Sequence, residues 1–328
     1  METMAMDVPK HAVITSFLST TKDRFHQYNP AKTLEERLQM ASETDGVSGV
    51  EMVFPYEVCE DPAEMKRLVD KYSLGISAVN VNVKAEPEFR NGGLTSTDPQ
   101  IRAKAVRFIK NAKDYAKAVG ADKVTCCPLG DGYEFNFQYD YGKAWANLID
   151  TLGEAGDYLH EIPLFIEYKP SETRGRCFVD TAAKTLLLLN EIGIDQMGVT
   201  LDFGHSMYGN ESPAEAVSLL AQSRFLYYIH INDNNGKWDW DYMVGTHHLL
   251  DYLEFLYYLQ KHNYDDFLTS DTSPTRWDVK GTFEMNTRVT NKLWALLKRQ
   301  KTGELEKMIA AGDYLQTWRW VEKNILSL

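Results

Sequence analysis

Residues 165–271 contain five short clusters of side chains that commonly bind metal ions or sugars. In chain order they read Glu167-Tyr168-Lys169-Pro170, Asp202-Phe203-Gly204-His205, His230-Ile231-Asn232, Asp239-Trp240-Asp241 and Ser270-Asp271. Four of the five follow short apolar runs of the kind that form buried strands. In a (β/α)₈ barrel, residues at the carboxyl ends of successive strands converge on one face, although they are far apart in sequence. The segment therefore predicts a parallel barrel with a functional site at that face.

The rest of the chain repeats the same alternation of strands and helices. Apolar runs predict strands at residues 12–17, 49–54, 76–83, 123–127, 163–167, 197–202, 225–231 and 267–271. Amphipathic segments between them, at residues 31–41, 62–71, 98–119, 141–159, 181–191, 213–223 and 247–261, predict the outer helices. Asn29-Pro30, Asp98-Pro99 and Ser212-Pro213 are typical helix starts. We predict an α/β fold, a (β/α)₈ TIM barrel over residues 1–280 with a C-terminal helical extension over residues 281–328.

Composition narrows the class of protein. The 328 residues carry a formal net charge of −12, which argues against a nucleic-acid partner because such a partner needs a clustered basic surface. The four cysteines form no CxxC pair and are typical of reduced thiols. No apolar run reaches the roughly 18 residues that a membrane span requires. We expect a cytoplasmic protein without a membrane partner.

The residue types in these clusters indicate the chemistry of the predicted site. Glu167 ends an apolar run, and strand alternation places Lys169 on the same side, so a carboxylate and an ammonium group face one cavity. The spacing of Asp202 and His205 allows both to bind the same or adjacent cations. A lone His230 in a strand is more often a hydrogen-bonded core residue, but its place at the predicted rim favours a ligand. Asp239 and Asp241 flank Trp240 and add a pair of hard oxygen donors.

These segments resemble the xylose isomerase-like TIM barrel family, in particular its two-metal aldose–ketose isomerases of the xylose and L-rhamnose isomerase type. The resemblance rests on LFIEYKPSETRGRCFV (residues 164–179), LDFGH, IHIN, GKWDWDYMVG and the closing Asp271-Thr272-Ser273-Pro274. Asp at 202 and His at 230 are closer to rhamnose isomerase than to xylose isomerase. The resemblance implies a metal-dependent sugar isomerase that moves hydride between C1 and C2 of a pentose, a branched pentose such as D-apiose, or a 6-deoxyhexose.

Residue roles follow from the same resemblance. It implies a first metal ion on Glu167, Asp202, His230 and Asp271, and a second on His205, Asp239 and Asp241 with Asp202 bridging. The ions would be Mn²⁺, Mg²⁺ or Co²⁺, two per chain, which suits oxygen and imidazole donors. Lys169, Glu167 and Asp271 are the expected catalytic residues. The remaining predicted contacts, all with the sugar, are Glu172, Arg174, Asn232, Trp238, Trp240 and His26, with Trp277 as a further shield against water. A homo-oligomer, a dimer or tetramer, is also expected.

Other functions remain open. The second predicted strand lacks the histidine that opens the sugar ring in xylose isomerases, and His26 is the nearest substitute in the sequence. The alternative is a ketose 3-epimerase, which uses one metal ion and two carboxylates to move a proton, although the Pro-Gly-x-Gly run typical of that group is replaced by DWD. An abasic-site endonuclease is disfavoured by the acidic charge and by a total of only eight histidines. A non-catalytic scaffold is disfavoured because buried acids are costly without a function.

Overall fold

Eight parallel strands form a closed barrel in the computed structural model, which describes residues 8–172, 174–300 and 302–327. They are β1 Lys10–Ile14, β2 Val47–Phe54, β3 Gly75–Val81, β4 Val124–Cys126, β5 Leu164–Glu167, β6 Met197–Asp202, β7 Leu226–Ile231 and β8 Phe267–Ser270. Each strand pairs with its neighbours in sequence, and β1 closes the ring by pairing with both β2 and β8. The predicted (β/α)₈ barrel is confirmed.

Helices surround the barrel in sequence alternation with the strands. They are α1 Leu34–Glu43, α2 Pro62–Lys71, α3 Pro99–Val119, α4 Tyr141–Asp157, α5 Ala182–Ile192, α6 Phe203–Tyr208, α7 Pro213–Gln222, α8 Leu249–Lys261 and α9 Val279–Arg299. Asp98 and Ser212 accept hydrogen bonds from the first turns of α3 and α7, as their sequence contexts predict. No helix in the described part of the chain is both long and apolar enough to cross a membrane.

One predicted helix start is wrong. Asn29 lies in the left-handed region with φ of 63°, so Asn29-Pro30 belongs to a turn before the helix. Helix α1 begins at Leu34 because Thr33 and Glu36 form a reciprocal capping box. That pair satisfies two exposed backbone donors at once, an advantage that Asn29 does not offer.

Helix α9 crosses the predicted boundary between the barrel and the C-terminal extension, and the position of that boundary stays a prediction. Helix α9 runs through residues 280 and 281, where the sequence suggested a domain change, and packs against α8 and β2 as the eighth outer helix of the barrel. The segment after α9 extends beyond the barrel, with α10 Gly303–Ala311, α11 Tyr314–Val321 and a final turn at Glu322–Leu326. The side chains of Leu305 and Trp320 are buried and pack this segment against the rest of the protein.

Aromatic rings close the floor of the barrel beneath its carboxyl-terminal face. Phe165 and Tyr228 meet edge to face with ring centroids 6.3 Å apart, and both are buried. Gly198 makes room for them, since a Cβ at that position would lie 2.5 Å from the Phe165 ring. The packed floor leaves the polar residues at the other end of the strands as the accessible interior of the barrel.

Candidate metal centre

Strand register brings the predicted ligands to one level of the barrel. Glu167 is the last residue of β5 and Asp202 the last of β6, while Asp202 pairs directly with His230 of β7. Asp271 follows the end of β8, and its backbone N–H donates to the carbonyl of Ile231. The convergence is a consequence of parallel strands ending on the same face.

Glu167, Asp202, His230 and Asp271 form a first compact group. One ligand atom from each lies within 4.8 Å of all the others. Glu167, Asp202 and His230 are almost fully buried, and Asp271 is partly exposed toward the cavity. His230 Nδ1 lies 3.4 Å from a carboxylate oxygen of Asp271 and 3.6 Å from Glu167 Oε1. Four donors of this kind at this spacing could hold a divalent cation.

Asp202, His205 and Asp239 form a second group that shares Asp202 with the first. His205 lies in α6, whose first turn is capped by Asp202 through a 2.8 Å bond from the His205 backbone N–H. The carbonyl of Tyr168 lies 2.9 Å from His205 Nδ1 and accepts its proton, which leaves Nε2 facing Asp239 at 3.2 Å. The second group is therefore oriented by backbone contacts before any cation binds.

The electrostatics of both groups fit bound cations. His230 Nδ1 and Asp239 Oδ1 are buried, and neither has a partner in hydrogen-bond geometry among the described residues. Burial, with the nearby Asp271 and Asp239 carboxylates, raises the pKa of Asp202 to about 7. Although burial lowers the pKa of His205, the carboxylates of Asp202 and Asp239 raise it to about 9. Such concentrated negative charge is expected to require positive charge, and carboxylate and imidazole donors suit Mn²⁺, Mg²⁺ or Co²⁺.

Lys169 supplies a fixed cation beside the second group. Its Nζ lies 2.7 Å from Asp239 Oδ2 and 2.5 Å from Glu172 Oε2, and its side chain is only 10% exposed. Burial acts to lower the pKa of Lys169, but Asp239, Glu172 and Asp241 together raise it well above the usual value. The side chain therefore stays an ammonium group at the cavity wall, where the alternation from Glu167 predicted it.

Asp241 reaches the same cavity without joining either compact group. It lines the cavity together with Asp239 and Asp271, but the second group within 4.8 Å comprises only Asp202, His205 and Asp239. Its backbone has φ of 50°, a left-handed conformation that is uncommon for a residue other than glycine. Asp241 as a ligand of the second ion stays a prediction.

Several predicted substrate contacts lie away from the cavity. Asn232 is fully buried behind Asp202, donating to Asp202 Oδ2 at 3.0 Å and accepting from the Gly204 N–H at 2.7 Å. Its amide contacts the predicted ligand Asp202, it is not among the residues that line the central cavity, and its contact with the sugar stays a prediction. His26 lies in an exposed hairpin loop beside Asp23, with 66% of its side chain exposed. Trp238 packs on Tyr208, and Trp240, at 46% exposure, donates to Asn235.

The remaining predicted sugar contacts lie around the rim of the central cavity. Glu172 pairs with Lys169, whereas Arg174 is exposed and pairs with Glu134 at 3.1 Å. Both line a neighbouring cavity of about 190 Å³. Trp277 is 36% exposed and meets Tyr242 edge to face. In the described structure these side chains border the site but do not form the wall of the central cavity.

Sequence reasoning missed several residues of the cavity wall. The central cavity of about 280 Å³ is also lined by Asn80, Asn82, Lys84 and Glu57. Asn80 lies near the end of β3, and Asn82 and Lys84 follow at two-residue spacing, a pattern that places them on one side of an extended chain and could have identified them. The Lys84 side chain has no hydrogen bond or salt bridge to a described residue. Lys84 thus presents a second ammonium group to the cavity that Lys169 also lines.

The sequence model of the xylose isomerase-like TIM barrel family matches residues 38–286. The chain belongs to this family. Xylose isomerase from Thermus thermophilus is 24% identical over 201 residues, which are 60% of this chain and 52% of that enzyme. Xylose isomerase from Thermus caldophilus is 27% identical over 192 residues, 56% of this chain and 49% of that enzyme. The chain therefore matches only about half the length of these relatives.

Solved structures of other proteins share the fold. A D-tagatose 3-epimerase-like protein superposes with a TM-score of 0.69 at 21% identity, covering 87% of this chain and 98% of that one. An L-ribulose 3-epimerase gives a TM-score of 0.70 at 17% identity, covering 89% of this chain and 97% of that one. At this level of identity the similarity establishes a common barrel, and the reaction must be argued from the site.

Proposed function

We propose that the protein is a divalent-metal-dependent aldose–ketose isomerase that acts by hydride shift between C1 and C2. Its substrate would be a monosaccharide, namely a pentose, a branched pentose such as D-apiose, or a 6-deoxyhexose. Its working form would be a homo-oligomer, a dimer or tetramer. The observation that carries the proposal is the second ligand group of Asp202, His205 and Asp239, which shares Asp202 with the first group. A second group is what a two-metal reaction needs.

The ligand residues would each have a defined task. Glu167, Asp202, His230 and Asp271 would hold the ion that binds the sugar, and Asp202, His205 and Asp239, with Asp241, would hold the second. When bound, the ions would act as Lewis acids toward the oxygens on C1 and C2.

Two ammonium groups and the floor of the barrel would complete the site. The Lys169 ammonium group, fixed by Asp239 and Glu172, would stabilise negative charge on the O1 oxygen of the sugar. Lys84, Asn80 and Asn82, which line the cavity on the side of β3, would orient the hydroxyl groups that the ions do not bind. The closed floor of the barrel keeps water from entering below the substrate.

A ketose 3-epimerase is the second candidate. It would need only the first group, in which Glu167 and Asp271 both approach His230 and could act as paired carboxylates for proton transfer. The position of Asp241 outside the compact second group favours this candidate. The named structural relatives are epimerases, which is compatible with it.

The position of deuterium in the products distinguishes the two reactions. Mn²⁺-loaded protein is incubated in D₂O with a panel of aldoses and ketoses, and the products are followed by NMR. Hydride shift predicts a C1–C2 isomer that retains its migrating hydrogen, and chelator-stripped protein should give no product. Deuterium at C3 of a ketose would instead establish the epimerase, and turnover without metal would contradict both.

The second ligand group can be tested alone. Asp239→Asn with Asp241→Asn should lower kcat by roughly 10²-fold, since it removes charge that would hold a cation at the reacting oxygen. The sugar should still bind, because the four ligands of the first group are unchanged, and equilibrium dialysis with Mn²⁺ should find one ion fewer per chain. The matched control, Asp150→Asn with Glu304→Gln, removes two exposed carboxylates elsewhere and should behave as wild type. Unchanged kcat in the Asp239, Asp241 variant would favour a single-metal reaction.

A further inference from the structure

Glu51 lies in the interior of the barrel beneath the ligand groups and is fully buried. It belongs to β2, where it is the charged residue of an otherwise largely apolar strand. A buried carboxylate is costly unless it is hydrogen-bonded and paired. The contacts of Glu51 therefore reveal what it does.

Four donors surround the Glu51 carboxylate. Oε1 accepts from Asn80 Nδ2 and Thr125 Oγ1, both at 2.9 Å. Oε2 accepts from the Tyr228 hydroxyl at 3.1 Å and lies 3.0 Å from His230 Nε2. An ionised carboxylate accepts at both oxygens, so all four groups can donate to it at once. The four contacts accordingly stabilise the ionised form of Glu51.

The two nitrogens of His230 face different surroundings. Nε2 faces Glu51, which can only accept, so this nitrogen carries a proton. Nδ1 points the other way, toward Asp271 and Glu167, and has no partner in hydrogen-bond geometry among the described residues. In the neutral imidazole one nitrogen donates and the other offers a lone pair. With the proton held at Nε2, the lone pair lies on Nδ1 and points into the first ligand group.

We propose that Glu51 is a positioning residue for the first metal ion: it fixes the ring orientation and the Nε2-protonated form of His230, so that Nδ1 is the ligand atom. Outer partners of this kind typically change metal affinity by about 10- to 100-fold when they are removed. Glu51 itself would not touch the ion, since His230 lies between them. The inference rests on the metal site of the proposed function but not on the reaction carried out there.

Metal affinity provides the main test. The full chain with Asp239→Asn and Asp241→Asn serves as the parent, because it keeps all four ligands of the first group. After chelation, Mn²⁺ is titrated and the free ion is measured by electron paramagnetic resonance. Adding Glu51→Gln, which keeps the size of the side chain and removes its charge, should weaken Mn²⁺ binding by about 10- to 100-fold.

The matched control is Thr125→Val in the same parent. It removes one hydrogen bond to Glu51 but leaves the charge and the contact with His230 intact, so the Mn²⁺ affinity should change by less than about threefold. Equal losses in both variants would mean that Glu51 supports only local packing, and the inference would be overturned. Equal affinity in Glu51→Gln and the parent would also overturn it.

A second measurement does not depend on how the Glu51 variant folds. In the Zn²⁺-loaded full-length chain, with histidines labelled with ¹⁵N, the His230 ring should carry its proton on Nε2 and none on Nδ1. A proton on Nδ1 would contradict the inference. If neither the parent nor the wild-type chain binds a divalent ion, the proposed function fails together with this inference; failure limited to the Glu51 comparison overturns the inference alone.

Discussion

Replacing Lys169 with methionine should lower kcat by on the order of 10² to 10³, equivalent to roughly 3 to 4 kcal/mol. The ammonium group is held in the cavity by Asp239 and Glu172, so its charge is already in place where the substrate oxygen would become negative. A charge that need not reorganise stabilises the transition state more than the bound substrate. The change should therefore appear in kcat, with a smaller change in KM. Methionine keeps most of the aliphatic bulk and removes only the charge.

A surface lysine provides the matched control for this prediction. Lys117 is 57% exposed and pairs with Glu161 at 2.8 Å, so Lys117→Met also removes a lysine from a salt bridge. Exposed pairs contribute about 0 to 1 kcal/mol, and we expect wild-type turnover. Thermal unfolding should show that both metal-loaded variants are folded at the assay temperature. Retention of more than about half of the wild-type turnover by Lys169→Met would rule out a catalytic role for this residue.

Replacing Asp202 with asparagine should have the largest effect, because Asp202 is the one residue common to both ligand groups. We expect kcat to fall by more than about 10³-fold, equivalent to roughly 4 kcal/mol. Equilibrium dialysis with Mn²⁺ should show weaker binding at both sites, in contrast to the Asp239, Asp241 variant, which should lose one ion. Two normal metal sites in Asp202→Asn would contradict the shared position of this ligand.

The thermal stability of metal-free Asp202→Asn distinguishes a loss of activity from unfolding of the variant. Burial and neighbouring carboxylates raise the pKa of Asp202 to about 7, so the folded state holds its proton more tightly than the unfolded chain does. The stabilising effect of that proton is present at low pH and is lost as the pH rises through about 7. At pH 8 the ionised Asp202 carboxylate lowers the free energy of unfolding of the metal-free protein. Asparagine removes this charge. Metal-free Asp202→Asn should therefore unfold at the same temperature as metal-free wild type or at a higher one.

The hydrogen-bond partners of Glu51 and Asn232 could not be predicted from the sequence pattern. Asn232 was predicted as a sugar contact beside the predicted ligand His230, whereas Glu51 was not predicted to belong to the site. Neither their partners nor their directions could be read from the chain, since Glu51 meets His230 across 179 positions of sequence. Asn232 was predicted to face the sugar, yet its two ends are held by Asp202 and Gly204. Contacts across the barrel depend on strand register and ring closure.

The sequence by itself determined the barrel, because strand alternation and helix periodicity are local. It also predicted the candidate ligands after the strands, because parallel strands end on one face. It also placed Lys169 beside Glu167, since two-residue spacing fixes the side of an extended chain. Only the tertiary structure decided that Asp202 is shared by two groups, that Lys84 and Lys169 line one cavity, that His26 lies in an exposed loop, and that α9 packs on α8 and β2. These features depend on distances between distant segments, which arise only when the strands close into a ring and the loops pack above it.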